Sequence, residues 1–171
     1  MNRATADHMG MLATVMNSVA LAGAIDKAGG RGRALSAIPM EAICETYTRS
    51  RALDRLADGD VIVCAAGTGN PFFTTDTAAA LRAAELGCDA LLKGTQVDGV
   101  YDADPKTTPQ ANRFEQLTFA DALARDLKVM DTAAFALARD AAIPIIVFNI
   151  HETGAFGAVL EGRGRSTLVS N

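Results

Sequence analysis

Val61-Ile62-Val63-Cys64-Ala65-Ala66 is an unbroken apolar run, β-branched at its start, and Gly67-Thr68-Gly69-Asn70-Pro71-Phe72-Phe73-Thr74-Thr75-Asp76 follows it directly. A short apolar run closed by glycine reads as a strand covered on both faces, here the central strand of its sheet. Thr75 to Leu86 then reads as an alanine-rich helix with Gly87 at its end. A strand that passes through a glycine turn into a helix is half of a βαβ unit, so the stretch already argues for an α/β fold.

Upstream, Met9, Leu12, Ala13, Met16, Val19 and Ala20 recur at steps of three and four, which predicts a long helix from Asp7 to Ala28, capped by Asp7 and ended by Gly29-Gly30. Arg33 to Ile38 reads as a short strand closed by Pro39, and Ser50 to Asp58 as a helix ended by Gly59. Downstream, Ala90 to Lys93 and Pro144 to Asn149 read as buried strands, Arg113 to Leu117 as a short edge strand, and Ser166 to Val169 as the last strand. Thr118 is placed to cap a helix from Phe119 to Arg125, with further helices over Val129 to Ala142 and Gly154 to Leu160. Helices alternate with strands throughout, with no repeat and no linker, so residues 1–171 read as a single α/β domain on a mainly parallel sheet with right-handed crossovers.

The composition narrows the function. Of 171 residues 49% are hydrophobic and 21% charged, which suits a compact globular chain. Sixteen Lys and Arg against 20 Asp and Glu leave a net charge of −4, without the basic surface that collects nucleic-acid phosphates. No uninterrupted apolar stretch approaches the ~20 residues of a membrane helix and no secretory segment opens the chain, so a cytoplasmic protein without membrane attachment is expected. Cys44, Cys64 and Cys88 are too far apart for a CxxC site and read as core thiols; His8 and His151 are too few for a metal centre or a Ser/His triad. Chemistry must then rest on carboxylates, hydroxyls, lysine and backbone groups.

Three stretches carry such groups. Gly67 and Gly69 allow close backbone approach, Thr68, Asn70, Thr74 and Thr75 offer hydroxyls and an amide, and the following helix aims its first N–H groups at an anion, a turn suited to a phosphorylated ligand. The plainer alternative is a strand-to-helix loop in which Thr75 or Asp76 is an ordinary cap. A P-loop is excluded, because no GxxxxGK[ST] occurs. The second stretch is Lys93-Gly94-Thr95-Gln96-Val97-Asp98-Gly99-Val100-Tyr101-Asp102-Ala103-Asp104-Pro105. There Lys93 can neutralise phosphate, Tyr101 can face an adenine ring, and Asp104 can take ribose hydroxyls or hold Mg²⁺ through water; Asp102 and Asp104 fit equally well as solvated turn residues. The third, Asp7-His8-Met9-Gly10-Met11-Leu12, places a carboxylate either against ribose hydroxyls or as a helix cap.

Together, Asp7-His8-Met9-Gly10-Met11-Leu12-Ala13-Thr14, the Gly67–Asp76 loop, Val97-Asp98-Gly99-Val100-Tyr101 and Lys128-Val129-Met130-Asp131 make the chain resemble the bacterial-type UMP kinases of the amino acid kinase family from residue 1 to the C-terminus. The resemblance implies a three-layer α/β/α fold and transfer of the γ-phosphoryl of MgATP to UMP. It also implies that Asp7 with Thr68, Gly69, Asn70, Pro71, Phe72, Phe73, Thr74 and Thr75 binds UMP and that Asp76 lies at the reacting phosphates as the catalytic carboxylate. Thr95, Tyr101 and Asp104 would contact ATP, with Lys93 beside them and no dedicated metal ligand on the chain. A hexamer activated by GTP and inhibited by UTP is implied as well. Gln96 stands where related sequences often carry lysine or asparagine.

The resemblance starts inside the family pattern. On the order of two βα units upstream, with the Lys-x-Ser-Gly-Glu and Gly-Gly-Gly-Asn segments that hold the triphosphate, have no counterpart here. The chain is therefore expected to be a truncated or start-misassigned member that alone binds UMP weakly and transfers phosphate slowly or not at all. Two other readings stay open: another amino acid kinase, acting on carbamate, glutamate or aspartate, and a non-catalytic nucleotide- or oxoanion-binding protein of the same fold. The apolar helix over Met9–Ile25 also suits packing against a copy of itself.

Overall fold

The computed structural model describes residues 1–171, which fall into two compact units, Met1–Leu86 and Gly87–Asn171. The first contains α1 (Arg3–Lys27), β1 (Gly32–Ser36), β2 (Glu45–Thr46), α2 (Arg49–Ala57), β3 (Val61–Ala65) and α3 (Thr75–Leu86). Its sheet has the order β2-β1-β3, both pairings parallel, with Leu35 opposite Glu45 and Cys64. The helix α1 lies along β1 and β3 and buries Met11, Val15, Ser18 and Ala22, and with Ala65 and Ala66 two of these, Met11 and Val15, form the core of the unit.

The second unit contains β4 (Leu91–Thr95), β5 (Gln116–Thr118), α4 (Phe119–Ala124), α5 (Thr132–Asp140), β6 (Ile145–Asn149), α6 (Ala155–Leu160) and β7 (Ser166–Ser170). Its sheet runs β4-β6-β7-β5, parallel except for the β6–β7 pair. Phe119 and Phe135 meet edge to face at 5.0 Å over Ile145, Val147 and Val169, the centre of this unit's core. The α/β class and the mainly parallel pairing are as the sequence implies.

Several boundaries differ for local reasons. The N-cap of α1 is Asn2, whose side chain accepts the Thr5 N–H at 2.9 Å, so Asp7 lies inside the helix and is not its cap. The helix α5 starts at Thr132, later than the apolar spacing suggests, because the Asp131 carboxylate takes the Ala133 and Ala134 N–H groups. Thr118 caps α4 as expected.

The run Val61–Ala65 is a strand but an edge strand; β1 is central, and Val61 and Cys64 on β3 are exposed. An apolar run fixes that a strand forms, not its rank in the sheet. Nor is β4 fully buried. Cys64 and Cys88 are exposed and Cys44 half-buried, so the cysteines are not core thiols. By length and composition α1, at 25 residues, is apolar enough to cross a membrane, although it contains no uninterrupted apolar run of that length; it packs on β1 and β3 and buries Met11, Val15, Ser18 and Ala22 there.

Candidate functional site

In the first unit β3 ends in two consecutive left-handed residues, Ala66 at φ 60° and Gly67 at φ 57°, which turn the chain away from the sheet. Both backbone polar groups of Ala66 find partners. The Ala66 N–H donates to Thr14 Oγ1 on α1 at 2.9 Å, and the Ala66 carbonyl accepts from the Gly69 N–H at 2.9 Å. Gly69 has φ 79°, and a Cβ there would come within 3.2 Å of the Ala37 carbonyl oxygen, so only glycine fits without displacing the neighbouring chain.

The turn is closed by its own polar side chains. The Asn70 N–H donates to Thr68 Oγ1 at 3.2 Å, and the Asn70 amide reaches back to the Thr68 carbonyl at 3.3 Å. Thr74 supplies the cap of α3, its hydroxyl accepting the Thr77 N–H at 3.2 Å. The capping alternative for Thr75 or Asp76 is thereby corrected: Thr75 is the first residue of α3 and Asp76 lies in its first turn.

Across from this turn, Asp7 projects from the second turn of α1. Its carboxylate accepts the Phe72 N–H at 2.7 Å and faces the Arg3 guanidinium at 3.0 Å. The Phe72 hydrogen bond holds the carboxyl below its ordinary pKa; partial burial opposes this and Arg3 adds to it. Phe72 itself sits at φ 74°, with the Arg3 guanidinium 5.8 Å from its ring centre. Between α1 and the turn lies a cavity of about 300 Å³ lined by Arg3, Ala6, Asp7, Gly10, Met11, Thr14, Gly67, Thr68, Asn70, Phe73, Thr74 and Thr75. Seven of the residues given a role from the sequence (Asp7, Gly67, Thr68, Asn70, Phe73, Thr74 and Thr75) thus line one concavity, while Gly69, Pro71 and Phe72 shape the loop without lining it. Arg3 is not among the residues the sequence points to, and Thr14 stands there only as the end of the string Asp7–Thr14, with no role of its own. For Arg3 the signal was its i, i+4 spacing to Asp7; for Thr14 there was none, because its bond spans 52 positions.

In the second unit β4 carries Lys93 and Thr95, and the Thr95 hydroxyl accepts the Val97 N–H at 2.9 Å, starting the turn. The Tyr101 hydroxyl donates to Asp98 at 2.5 Å, which raises the pKa of the phenol, and Asp98 also pairs with Arg165 at 3.1 Å. Asp102 accepts the Asn112 N–H at 2.8 Å and closes a hairpin; that bond lowers its pKa. Asp104 accepts the Lys106 N–H at 2.9 Å, a turn role, and the Lys106 ammonium reaches Gln96 Oε1 at 3.2 Å.

A family model described as the amino acid kinase family matches residues 1–149. The chain is 61% identical over 170 residues to the uridylate kinase of Azorhizobium caulinodans, covering 99% of this chain and 71% of that protein. It is 57% identical over 171 residues to the uridylate kinase of Paramagnetospirillum magneticum, covering 100% of this chain and 71% of that one. Among solved structures, the UMP kinase from Ureaplasma parvum superposes with a TM-score of 0.97 at 41% identity, over 100% of this chain and 73% of the other.

Proposed function

Because this chain belongs to the amino acid kinase family, we propose that its first unit binds UMP as a phosphoryl acceptor and that the reaction is transfer of the γ-phosphoryl of ATP to give UDP. The observation that carries this reading is the cavity between α1 and the Gly67–Asp76 turn, where hydroxyls, an amide and the N-terminal end of α3 converge on one concavity. Phosphoryl transfer asks a protein chiefly to hold two anionic substrates in line and to stabilise charge on the moving group. The turn meets the first requirement with Thr68, Gly69, Asn70, Thr74 and Thr75, and with a helix N-terminus favourable to a dianion. Pro71, Phe72 and Phe73 supply the apolar side of the acceptor site, Asp7 its carboxylate, and Asp76 the carboxylate at the reacting phosphates.

The second unit contributes Lys93, Thr95, Tyr101 and Asp104 to ATP. With the Tyr101 hydroxyl tied to Asp98, its ring is fixed in orientation and offers a face to a base.

The chain gathers no three His, Cys, Asp or Glu side chains into a metal cage. That donor set fits Mg²⁺ held mainly by phosphate oxygens and water with one or two carboxylates. Asp76 would hold it in the first unit; when bound, the ion neutralises phosphate charge. Asp76 without a cation would repel phosphate, so its role is to orient the ion, a water or a lysine.

The proposal extends to a homo-oligomer, a hexamer with GTP as activator and UTP as inhibitor, acting in the cytoplasm. Exposed Met9, Leu12, Met16 and Val19 on α1 support the oligomer.

Titrating the isotope-labelled chain with UMP tests the acceptor site. Amide shifts are expected at Thr68, Asn70 and Thr75, and unmoved resonances there would remove the assignment. An acceptor screen with UMP, carbamate, glutamate and aspartate separates this reaction from its relatives, and tight UMP binding with no turnover would favour a binding protein.

A further inference from the structure

The corner where β3 becomes the turn is held from a second side by residues outside the cavity. Arg82, on α3, is mostly buried, its side chain 12% exposed. One guanidinium nitrogen donates to the Gly67 carbonyl at 3.1 Å and another pairs with Glu85 at 2.6 Å, while the plane lies over the Tyr47 ring at 3.9 Å. Glu85 is fixed in turn: its carboxylate accepts the Tyr47 hydroxyl at 2.7 Å, and its backbone carbonyl accepts Arg49 Nε at 2.6 Å. We propose that Arg82 is a positioning residue for the phosphate-accepting turn, acting through the Gly67 carbonyl and itself aimed by Tyr47 and Glu85.

Gly67 is the first residue of the turn and has lost its strand partner. Its carbonyl direction sets where the following amides point, and those amides are what a phosphate meets. Only arginine can stack on an aromatic ring and donate in two directions from one rigid plane; lysine, a point charge on a flexible stem, cannot do both. Thr14 fixes Ala66 from α1 and Arg82 fixes Gly67 from α3, so the two left-handed residues are clamped one each by two different helices. Burial and Glu85 push the Tyr47 phenol up to about 12, so the anchor keeps its proton across the physiological range.

The inference rests on the UMP reading for its consequence, and the test separates the two. On the full chain, hydrogen exchange of the turn amides and calorimetric UMP affinity are measured for Arg82→Gln, Arg82→Lys and Tyr47→Phe. In Arg82→Gln, loss of a charge-assisted bond is expected to speed exchange at Gly69 and weaken UMP binding, each about tenfold, with β1 amides unchanged. Arg82→Lys should behave like Arg82→Gln, and Tyr47→Phe, which keeps the ring, close to the parent. A lower melting temperature with unaltered Gly69 exchange and unaltered affinity would overturn the proposal, since a merely structural clamp predicts that result. Should Arg82→Gln fail to fold, Glu85→Gln decides: faster Gly69 exchange supports the role and unchanged exchange overturns it. If the parent chain does not bind UMP, the nucleotide reading falls while the exchange arm still decides the positioning role.

Discussion

Asp7 has an unusual neighbour for a helix carboxylate, the backbone N–H of a residue 65 positions away at 2.7 Å. Phe72, which donates it, holds a left-handed conformation that for a bulky residue costs of order 1–3 kcal/mol, so the carboxylate offsets strain in the loop. The sign of its pH dependence follows from the lowered pKa. The folded state binds the proton less readily than the unfolded chain, so the stabilisation is fully present above the ordinary value of 3.8 and is lost as pH falls through the lowered one. The Phe72 amide resonance should therefore stay constant on acidification through the usual aspartate range and move only below it. In Asp7→Asn that movement should vanish and UMP binding should weaken; a Phe72 amide that titrates near 3.8 would contradict the contact. The string Asp7-His8-Met9-Gly10 made this residue conspicuous, yet its position read as a cap. A single sequence does not show that Asn2, five residues earlier, takes that role and frees Asp7 for a distant partner.

At the scale of elements, α1 serves the site by placing Thr14 against the end of β3. The Thr14 hydroxyl donates to the Met11 carbonyl at 2.7 Å and so presents its lone pair to the Ala66 N–H. Ala66 is fully buried, and its N–H has no solvent to turn to. Thr14→Val keeps the shape and removes the acceptor, so a loss of about 1–3 kcal/mol is expected, read as a lower urea midpoint at unchanged slope. A midpoint equal to the parent's would show that the corner re-forms without this bond. Element identity was largely legible here. The helix α3 has the bounds that its alanine spacing and Gly87 predict, and α1 and β1 differ from expectation only at their ends. The two-residue β2 was not foreseen, because Glu45-Thr46 offers no alternation to read, and the edge position of β3 was not either. Strand rank is fixed by which faces neighbouring elements cover, and that information is not local.

For the molecule as a whole, the exposed apolar surface of α1 is the feature that stability of a lone chain does not explain. Met16 is 74% exposed and Met9 57%. Leu12, Val15, Met16 and Val19 together with Met40 and Ile43 line an almost wholly apolar groove of about 480 Å³. The helical spacing that revealed α1 contained this surface too, since its apolar positions exceed what one buried face can use; a sequence shows the surplus but not which residues turn outward. Contiguous apolar patches on soluble proteins mark contact surfaces, and a stable contact buries on the order of 800 Å² on each partner. A self-association surface built this way must tolerate no charge at its centre, because a carboxylate transferred from water into an apolar contact without a partner costs several kcal/mol. Met16→Glu is therefore expected to shift the sedimentation coefficient of the purified chain at micromolar concentration to that of a smaller species. The same change should leave the thermal unfolding of the released protomer within about 0.5 kcal/mol of the parent's, as exposed substitutions generally do. A species of unchanged size would mean that this face does not join copies of the chain.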